Sequence, residues 1–228
     1  MKREVELFLF FSQGSAAPVE DSPLSPDEYL RARRMGHQEV RNQFIVGRTV
    51  LRELLAERLS VAPRDVEVAL DKQGRPYLEG HESRAFSISH SGPYIAIALG
   101  WGYGTIGVDI ERFRADLPAR RLARRFFEPE AAAAVVDSPN EAEIEIFLRY
   151  WTVKEAVLKA LGTGLRTPLR QVEIEADLEW TEGRCSLASC SSQNWTFFQW
   201  RREGTWVLSL ALEGKVLAPR PELQEALP

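Results

Sequence analysis

Cysteine is scarce in this chain. Among 228 residues there are only Cys185 and Cys190, close together in a serine-rich stretch. That excludes a disulfide framework and a cysteine-based zinc site. With three histidines in all, a His-rich metal cluster is excluded too. Long apolar runs are also missing. The run LFLFF at 7–11 is too short for a signal-peptide core or a membrane span and reads as a first strand. No later stretch approaches membrane length, so no membrane partner is expected and a cytoplasmic location follows by default. Nor is there an excess of positive charge. A net charge of −4 gives no global case for a nucleic-acid or membrane partner.

Apolar content of 44% and charged content of 27% are ordinary for a soluble globular protein, and the length suits one large domain or two small ones. The charge is uneven. Residues 31–52 carry Arg31, Arg33, Arg34, Arg41, Arg48 and Arg52, and residues 112–125 carry Arg112, Arg114, Arg120, Arg121, Arg124 and Arg125. Ser25-Pro26-Asp27-Glu28 starts a helix, with a capping serine, Pro at the first position and acids in the first turn. It should run to about 35. Helical spacing of Phe44, Val46, Val50, Leu51, Leu54, Leu55 and Leu59 predicts a second helix over 39–59. Strands are expected at 66–70, 85–89 and 94–100, with a turn and short strand over 71–78 and HSGP joining the last two. The second half starts again at IGVDIE. Short helices at 119–126 and 129–136, a long helix at 141–160 and strands at 171–176, 195–200 and 205–212 follow. About the last fifteen residues read as a loosely ordered tail.

The halves resemble each other. Each has a long helix, then a short strand (VEV at 66–68, VEI at 172–174), then a closing hairpin in which Gly92 and Gly204 occupy equivalent turns. The expectation is an α+β fold of two similar halves related by pseudo-two-fold duplication, 1–104 and 105–216, with a tail at 217–228 and the active site in the cleft between the halves.

In the strand IGVDIERF, Asp109 and Glu111 share one face while Val108 and Ile110 point into a core. Alone, the two acids read as a solvated strand end. In the helix, Trp151, Glu155 and Lys159 are spaced i, i+4, i+8 and share a face. Glu155 and Lys159 could be a simple surface ion pair, but Trp151 argues for partial enclosure, and the glycines of GTGL let backbone approach a ligand. Together, Asp109, Glu111 and Glu155 offer three carboxylates on two rigid elements. That donor set suits a Mg²⁺-like cation with positions left open for a diphosphate. In FSISHSG, Ser87, Ser89 and Ser91 alternate with Phe86, Ile88 and His90. Ser and His at a tight turn could donate to phosphate. Ser89 and His90 point to opposite faces, so they do not make a catalytic dyad. Arg75 in GRP sets a cation on a rigid turn.

GRP (74–76), FSISHSG (86–92), GVDIE (107–111), FFEPEA (126–131) and WTVKEAVLKALGTGL (151–165) appear in that order. The chain thereby resembles the 4′-phosphopantetheinyl transferases of the Sfp type, in their double-length, pseudo-dimeric class. The resemblance is clear over about 74–168, extends more weakly through the helix at 39–59, and is thin at the N-terminus and after 176. It implies a monomer that moves phosphopantetheine from coenzyme A to a serine of an apo carrier protein, releasing adenosine 3′,5′-bisphosphate. It further implies that Asp109, Glu111 and Glu155 hold Mg²⁺, or Mn²⁺, against the coenzyme A diphosphate, Glu111 either directly or through water. Glu155 is then the candidate base for the carrier serine, directly or through water. Lys159 either stabilises charge on the transferring phosphate or protonates the leaving group. Arg75, Ser89 and His90 would contact the adenosine end, with His90 and a cation from the Arg31–Arg34 group, Arg31 among them, near the 3′-phosphate. The family often has lysines where this chain has Arg31, Arg33 and Arg34. The basic zone at 112–125 would steer an acidic carrier protein. Two other readings compete: a Mg²⁺-dependent nuclease or phosphodiesterase, and a non-catalytic module that binds coenzyme A or carrier protein. The acidic net charge and the lack of a basic, aromatic-interleaved track weigh against the nuclease. The presence of all three acids and Lys159 weighs against the module.

Overall fold

A computed structural model describes residues 3–12, 19–175, 180–216 and 219–226. In chain order the elements are β1 (Glu4–Phe11), α1 (Pro26–Arg34), α2 (Gln38–Leu59), β2 (Val68–Leu70), β3 (Pro76–Leu78), β4 (Arg84–Ser91), β5 (Tyr94–Trp101), β6 (Ile106–Arg112), α3 (Ala119–Phe126), α4 (Pro129–Val136), α5 (Glu143–Leu161), β7 (Val172–Glu175), β8 (Glu182–Leu187), β9 (Cys190–Arg202), β10 (Trp206–Glu213) and β11 (Leu223–Ala226). The fold is α+β. One sheet has the order β11-β1-β5-β4, a second β6-β10-β9-β8-β7, and β2 pairs with β3 alone. The antiparallel runs β1-β5-β4 and β6-β10-β9 have the same order and the same sequence relation.

Alternation decides what each sheet face covers. Phe8, Phe10, Ile95, Ile97 and Leu99 face α2, where they meet Leu51 and Leu55. Leu7, Leu9, Ala96 and Ala98 face the other way and pack on Val108, Ile110, Leu208 and Leu210 of the second sheet. The far side of that sheet is covered by α5, through Val153, Ala156, Val157 and Ala160 against Val172, Phe197 and Ala211. The layers are therefore α2, sheet, sheet, α5. Strand β5 is buried on both faces, which explains its unbroken apolar run.

Serine caps α1 as expected. Ser25 Oγ accepts the Glu28 N–H at 3.3 Å and Glu28 Oε2 accepts the Ser25 N–H at 3.0 Å, a reciprocal capping box. Glu28 also meets Arg52 Nε at 2.7 Å. Arg52 is 1% exposed, and its Nη1 donates to the carbonyls of Pro63 and Val66, each at 3.0 Å. Burying that charge is tolerable because its donors have acceptors.

Four points of the sequence reading are corrected. Strand β2 is only Val68–Leu70, and the β4–β5 hairpin turns on Gly92 and Pro93 alone. Strand β8 was hidden from pattern reading because its inward positions are Gly183, Cys185 and Leu187. A side chain at Gly183 would stand 2.7 Å from the Phe197 ring, so no apolar residue marks the strand there. The C-terminal stretch is not loose throughout, since Leu223–Ala226 pairs in parallel with β1. Residues 217, 218, 227 and 228 of the expected tail, and Ala176 of the expected strand at 171–176, lie outside the described residues. Among those described, Cys185 is a free, buried thiol whose burial pushes its pKa well up. No described helix is long and apolar enough to cross a membrane.

Candidate active site

Gly107 decides where α5 sits. A Cβ there would lie 1.8 Å from the Ala156 carbonyl oxygen and 2.7 Å from the Ala160 nitrogen. The helix backbone thus rests directly on β6. A buried polar network pins the same helix from below. Thr152 Oγ1 meets Ser209 Oγ at 2.7 Å, and Gln199 Nε2 donates to Ser209 Oγ at 2.9 Å and to the Arg149 carbonyl at 3.0 Å. Held this way, α5 carries Glu155 and Lys159 over the face of β6 that presents Asp109 and Glu111.

The ion pair of Lys159 is with Asp109, Nζ to Oδ1 at 2.7 Å, rather than with Glu155. Asp109 is 5% exposed. Its Oδ1 also accepts from Ser89 Oγ at 2.8 Å, while its buried Oδ2 has no partner among the described residues. Glu111 Oε2 accepts from Ser91 Oγ at 2.7 Å. Burial raises the Glu111 pKa, against the Ser91 hydrogen bond, and the nearby Asp109 charge adds to the rise. Glu155 is pushed up to about 7, first by burial and then by Asp109, with Lys159 opposing. Like charges crowded in a desolvated pocket resist joint ionisation, and a cation would relieve them.

Among the described residues, no three His, Cys, Asp or Glu side chains are arranged to hold a metal ion together. The donor chemistry still fits Mg²⁺, which commonly takes one or two carboxylates and draws its other ligands from water and substrate phosphates. The unpartnered Asp109 Oδ2 is the acceptor such an ion would satisfy.

These acids open on a pocket of about 920 Å³ that reaches α1 and α2. Every residue anticipated for the site, Arg31, Arg75, Ser89, His90, Asp109, Glu111, Glu155 and Lys159, lines it. Their local roles differ from expectation in places. Ser89 is buried, and its hydroxyl is already engaged, donating to Asp109 and accepting the Ile110 N–H at 3.3 Å. The Arg75 guanidinium is tied across the pocket, Nη1 donating to the Ala160 carbonyl at 2.9 Å. The turn before it is braced by Asp71 Oδ1, which accepts the N–H groups of Gln73 and Arg75 at 2.8 and 2.9 Å. The surrounding walls and the Lys159 ammonium hold the His90 pKa below its usual range.

Phe44 and Arg48 also line the pocket, although the sequence pattern places Phe44 in a core stripe and Arg48 in a basic zone. Arg31 and Arg48 both stack on the Phe44 ring, with 5.2 and 5.7 Å from guanidinium carbon to centroid. Arg48 is 7% exposed. Its Nε faces Glu28 at 3.5 Å, and its buried Nη1 has no hydrogen-bond partner among the described residues. Burial lowers its pKa. The i, i+4 spacing of Phe44 and Arg48 was the available signal. Arg33 stacks instead on Tyr29 at 5.8 Å.

In the second basic zone Arg112, Arg114, Arg121, Arg124 and Arg125 are exposed. Arg120 is not free for a partner, because it pairs with Glu143 at 2.9 Å and donates to the Ser138 carbonyl at 2.8 Å.

Comparison with known proteins finds two family models along the chain. Residues 105–211 match the 4′-phosphopantetheinyl transferase superfamily, and residues 20–100 match the N-terminal region of a 4′-phosphopantetheinyl transferase. The chain is 37% identical over 154 residues to 4′-phosphopantetheinyl transferase HetI of Nostoc sp., covering 66% of this chain and 64% of that protein. It is 35% identical over 157 residues to a putative 4′-phosphopantetheinyl transferase, slr0495, of Synechocystis sp., covering 68% and 63%. It is 25% identical over 146 residues to 4′-phosphopantetheinyl transferase Sfp of Bacillus subtilis, covering 64% and 63%. The chain thus spans a little under two thirds of the length of these relatives.

Proposed function

The chain belongs to the 4′-phosphopantetheinyl transferase superfamily, and from that premise we propose that it transfers 4′-phosphopantetheine from coenzyme A to a serine of an apo acyl or peptidyl carrier protein, releasing adenosine 3′,5′-bisphosphate. One observation carries this reading. Two buried charged atoms without partners, Asp109 Oδ2 and Arg48 Nη1, belong to residues lining one pocket. A substrate bearing a metal-bound diphosphate and, farther along, a separate phosphate monoester would answer both. Coenzyme A has that layout of charge.

Asp109 would hold Mg²⁺ or Mn²⁺, with Glu111 and Glu155 sharing it directly or through water, and the bound ion would neutralise charge on the diphosphate. In the metal-free protein burial and then Asp109 raise the Glu155 carboxyl to about 7, and a bound cation would draw it back down toward the ionised form that a general base needs. Glu155 takes the proton of the carrier serine, directly or through water. The serine oxygen bonds to the pantetheine-side phosphorus as the bond from that phosphorus to the bridging oxygen breaks. Lys159, whose ammonium already lies beside Asp109, stabilises charge on the transferring group or protonates the departing phosphate. Arg31 and Arg48, with Arg75 and His90, bind the adenosine end, while Ser89 holds Asp109. Such a transfer needs positioning and charge neutralisation more than covalent help from the protein.

The exposed arginines of 112–125 steer an acidic carrier protein by charge complementarity. The shared strand order β1-β5-β4 and β6-β10-β9 supports two duplicated units, 1–104 and 105–216, acting as a monomer with the site in their cleft. The reducing cytoplasm suits the free Cys185 thiol. Incubating the protein with coenzyme A, Mg²⁺ and a panel of apo carriers should add one phosphopantetheine mass to at least one of them. No mass gain on any carrier refutes the transferase reading.

A further inference from the structure

Strands β4 and β6 are the facing edges of two separate sheets, yet serine hydroxyls stitch them together. Ser87 Oγ accepts the Val108 N–H at 3.0 Å, Ser89 Oγ the Ile110 N–H at 3.3 Å, and Ser91 Oγ the Arg112 N–H at 3.0 Å. Each hydroxyl stands where the carbonyl of a paired strand would, so the edge donors of β6 do not go unsatisfied. The Ser-x-Ser-x-Ser run is in register with Gly107, Asp109 and Glu111. Ser89 donates onward to Asp109 at 2.8 Å and Ser91 to Glu111 at 2.7 Å. Ser87 has no such second bond, because the matching position is Gly107. Among the described residues, Ser91 is the hydrogen-bond donor to the Glu111 carboxylate, which otherwise sits at the open end of an edge strand.

We propose, resting for its metal part on the ion-holding role given to the acids above, that Ser91 is a positioning residue. Its hydroxyl closes the seam between the sheets and, through the same atom, fixes the Glu111 carboxylate in the acid cluster. Removing it loosens the cluster as well as the seam. Ser87 makes an equivalent seam bond with no carboxylate attached, and so serves as the internal control for a purely structural role.

Two measurements test this. In the first, the Kd of Mn²⁺ alone is read by EPR of the free ion. Ser91→Ala should weaken it about 10-fold, Ser91→Thr, which keeps the hydroxyl, should restore it, and Ser87→Ala should stay within about twofold of wild type. In the second, urea unfolding of the metal-free protein at pH 8 closes a double-mutant cycle with Glu111→Ala. Ser91 and Glu111 should be coupled by roughly threefold or more in the unfolding constant, and Ser87 and Glu111 should not be. An additive Ser91–Glu111 cycle overturns the proposal, as does an equal loss of Mn²⁺ affinity in Ser87→Ala. If the wild-type protein binds no Mn²⁺, the ion-holding role of the acids fails, and the cycle still decides whether Ser91 holds Glu111.

Discussion

Replacing Glu155 with glutamine should make the metal-free protein more stable at pH 8 while removing its activity. The Glu155 carboxyl moves from an ordinary 4.5 to about 7 on folding, mainly through burial and then through Asp109. A folded pKa above the unfolded one means that the group's favourable contribution is complete below about 4.5. It is lost as pH rises through about 7. At pH 8 the ionised side chain therefore costs up to about 3 kcal/mol, at 1.36 kcal/mol per unit. Because Glu155 is only partly buried, and because a Gln amide keeps some desolvation cost, about 2 kcal/mol is the gain to expect from Glu155→Gln. That corresponds to a rise in Tm of about 4–8 °C for a chain of this size. At pH 4.5 wild type and variant should be nearly equal. The assay is equilibrium urea unfolding in EDTA across pH 4.5–8, with the m-value checked for constancy. With Mg²⁺ added at pH 8, wild type should gain stability that the variant does not, and the variant's kcat should fall by about 100-fold or more. A difference between the two proteins that is flat with pH, or that disfavours the variant at pH 8, would refute the claim that buried like charges strain this site.

Three further outcomes are expected. Gly107→Ala drives a methyl into the α5 backbone, with Ala156 O only 1.8 Å away, and should cost about 3 kcal/mol or more and most activity. Unfolding within about 0.5 kcal/mol of wild type would show that β6 and α5 do not pack this closely. Arg48→Gln should raise KM for coenzyme A by about 10-fold or more through loss of a charge-assisted contact, with little change for dephospho-coenzyme A. Equal effects on the two substrates would remove Arg48 from the monoester end. Arg121→Glu with Arg124→Glu should raise KM for the carrier and spare that for coenzyme A, whereas Arg120→Glu should lower stability instead, since its partners are Glu143 and Ser138. Steady-state kinetics with each substrate varied, plus thermal melts, separate the cases.

Much of the frame was legible beforehand. The capping box at Ser25, the apolar spacing of α2 and the turns at Gly92 and Gly204 are short-range signals, readable from neighbouring residues. So was the shared face of Asp109 and Glu111, because alternation in a strand is geometric. What escaped reading depends on contacts distant in sequence. Strand β8 pairs with β7 and β9, but Phe197 leaves no room for an apolar side chain at Gly183 to mark it. Strand β11 exists because β1 offers it an edge. Arg48 looked like one arginine of several until packing buried it beside Phe44 and Glu28. Ser89 looked free to meet a phosphate, but Asp109 and the Ile110 N–H already occupy its hydroxyl.

By itself the sequence determined which residues are acids, bases and hydroxyls, and which of them share a face of one element. Periodicity and chemistry are local properties, so these needed no third dimension. Only the tertiary structure decided which of those groups lose their water and which charges meet. Burial and Coulomb interaction depend on distances between elements far apart in the chain. Gly107 brings α5 onto β6, and only then is Glu155 buried, and set near Asp109, so that it rises to about 7. Among the described residues, the fold leaves one oxygen of Asp109 and one nitrogen of Arg48 unpartnered on two side chains that line one pocket.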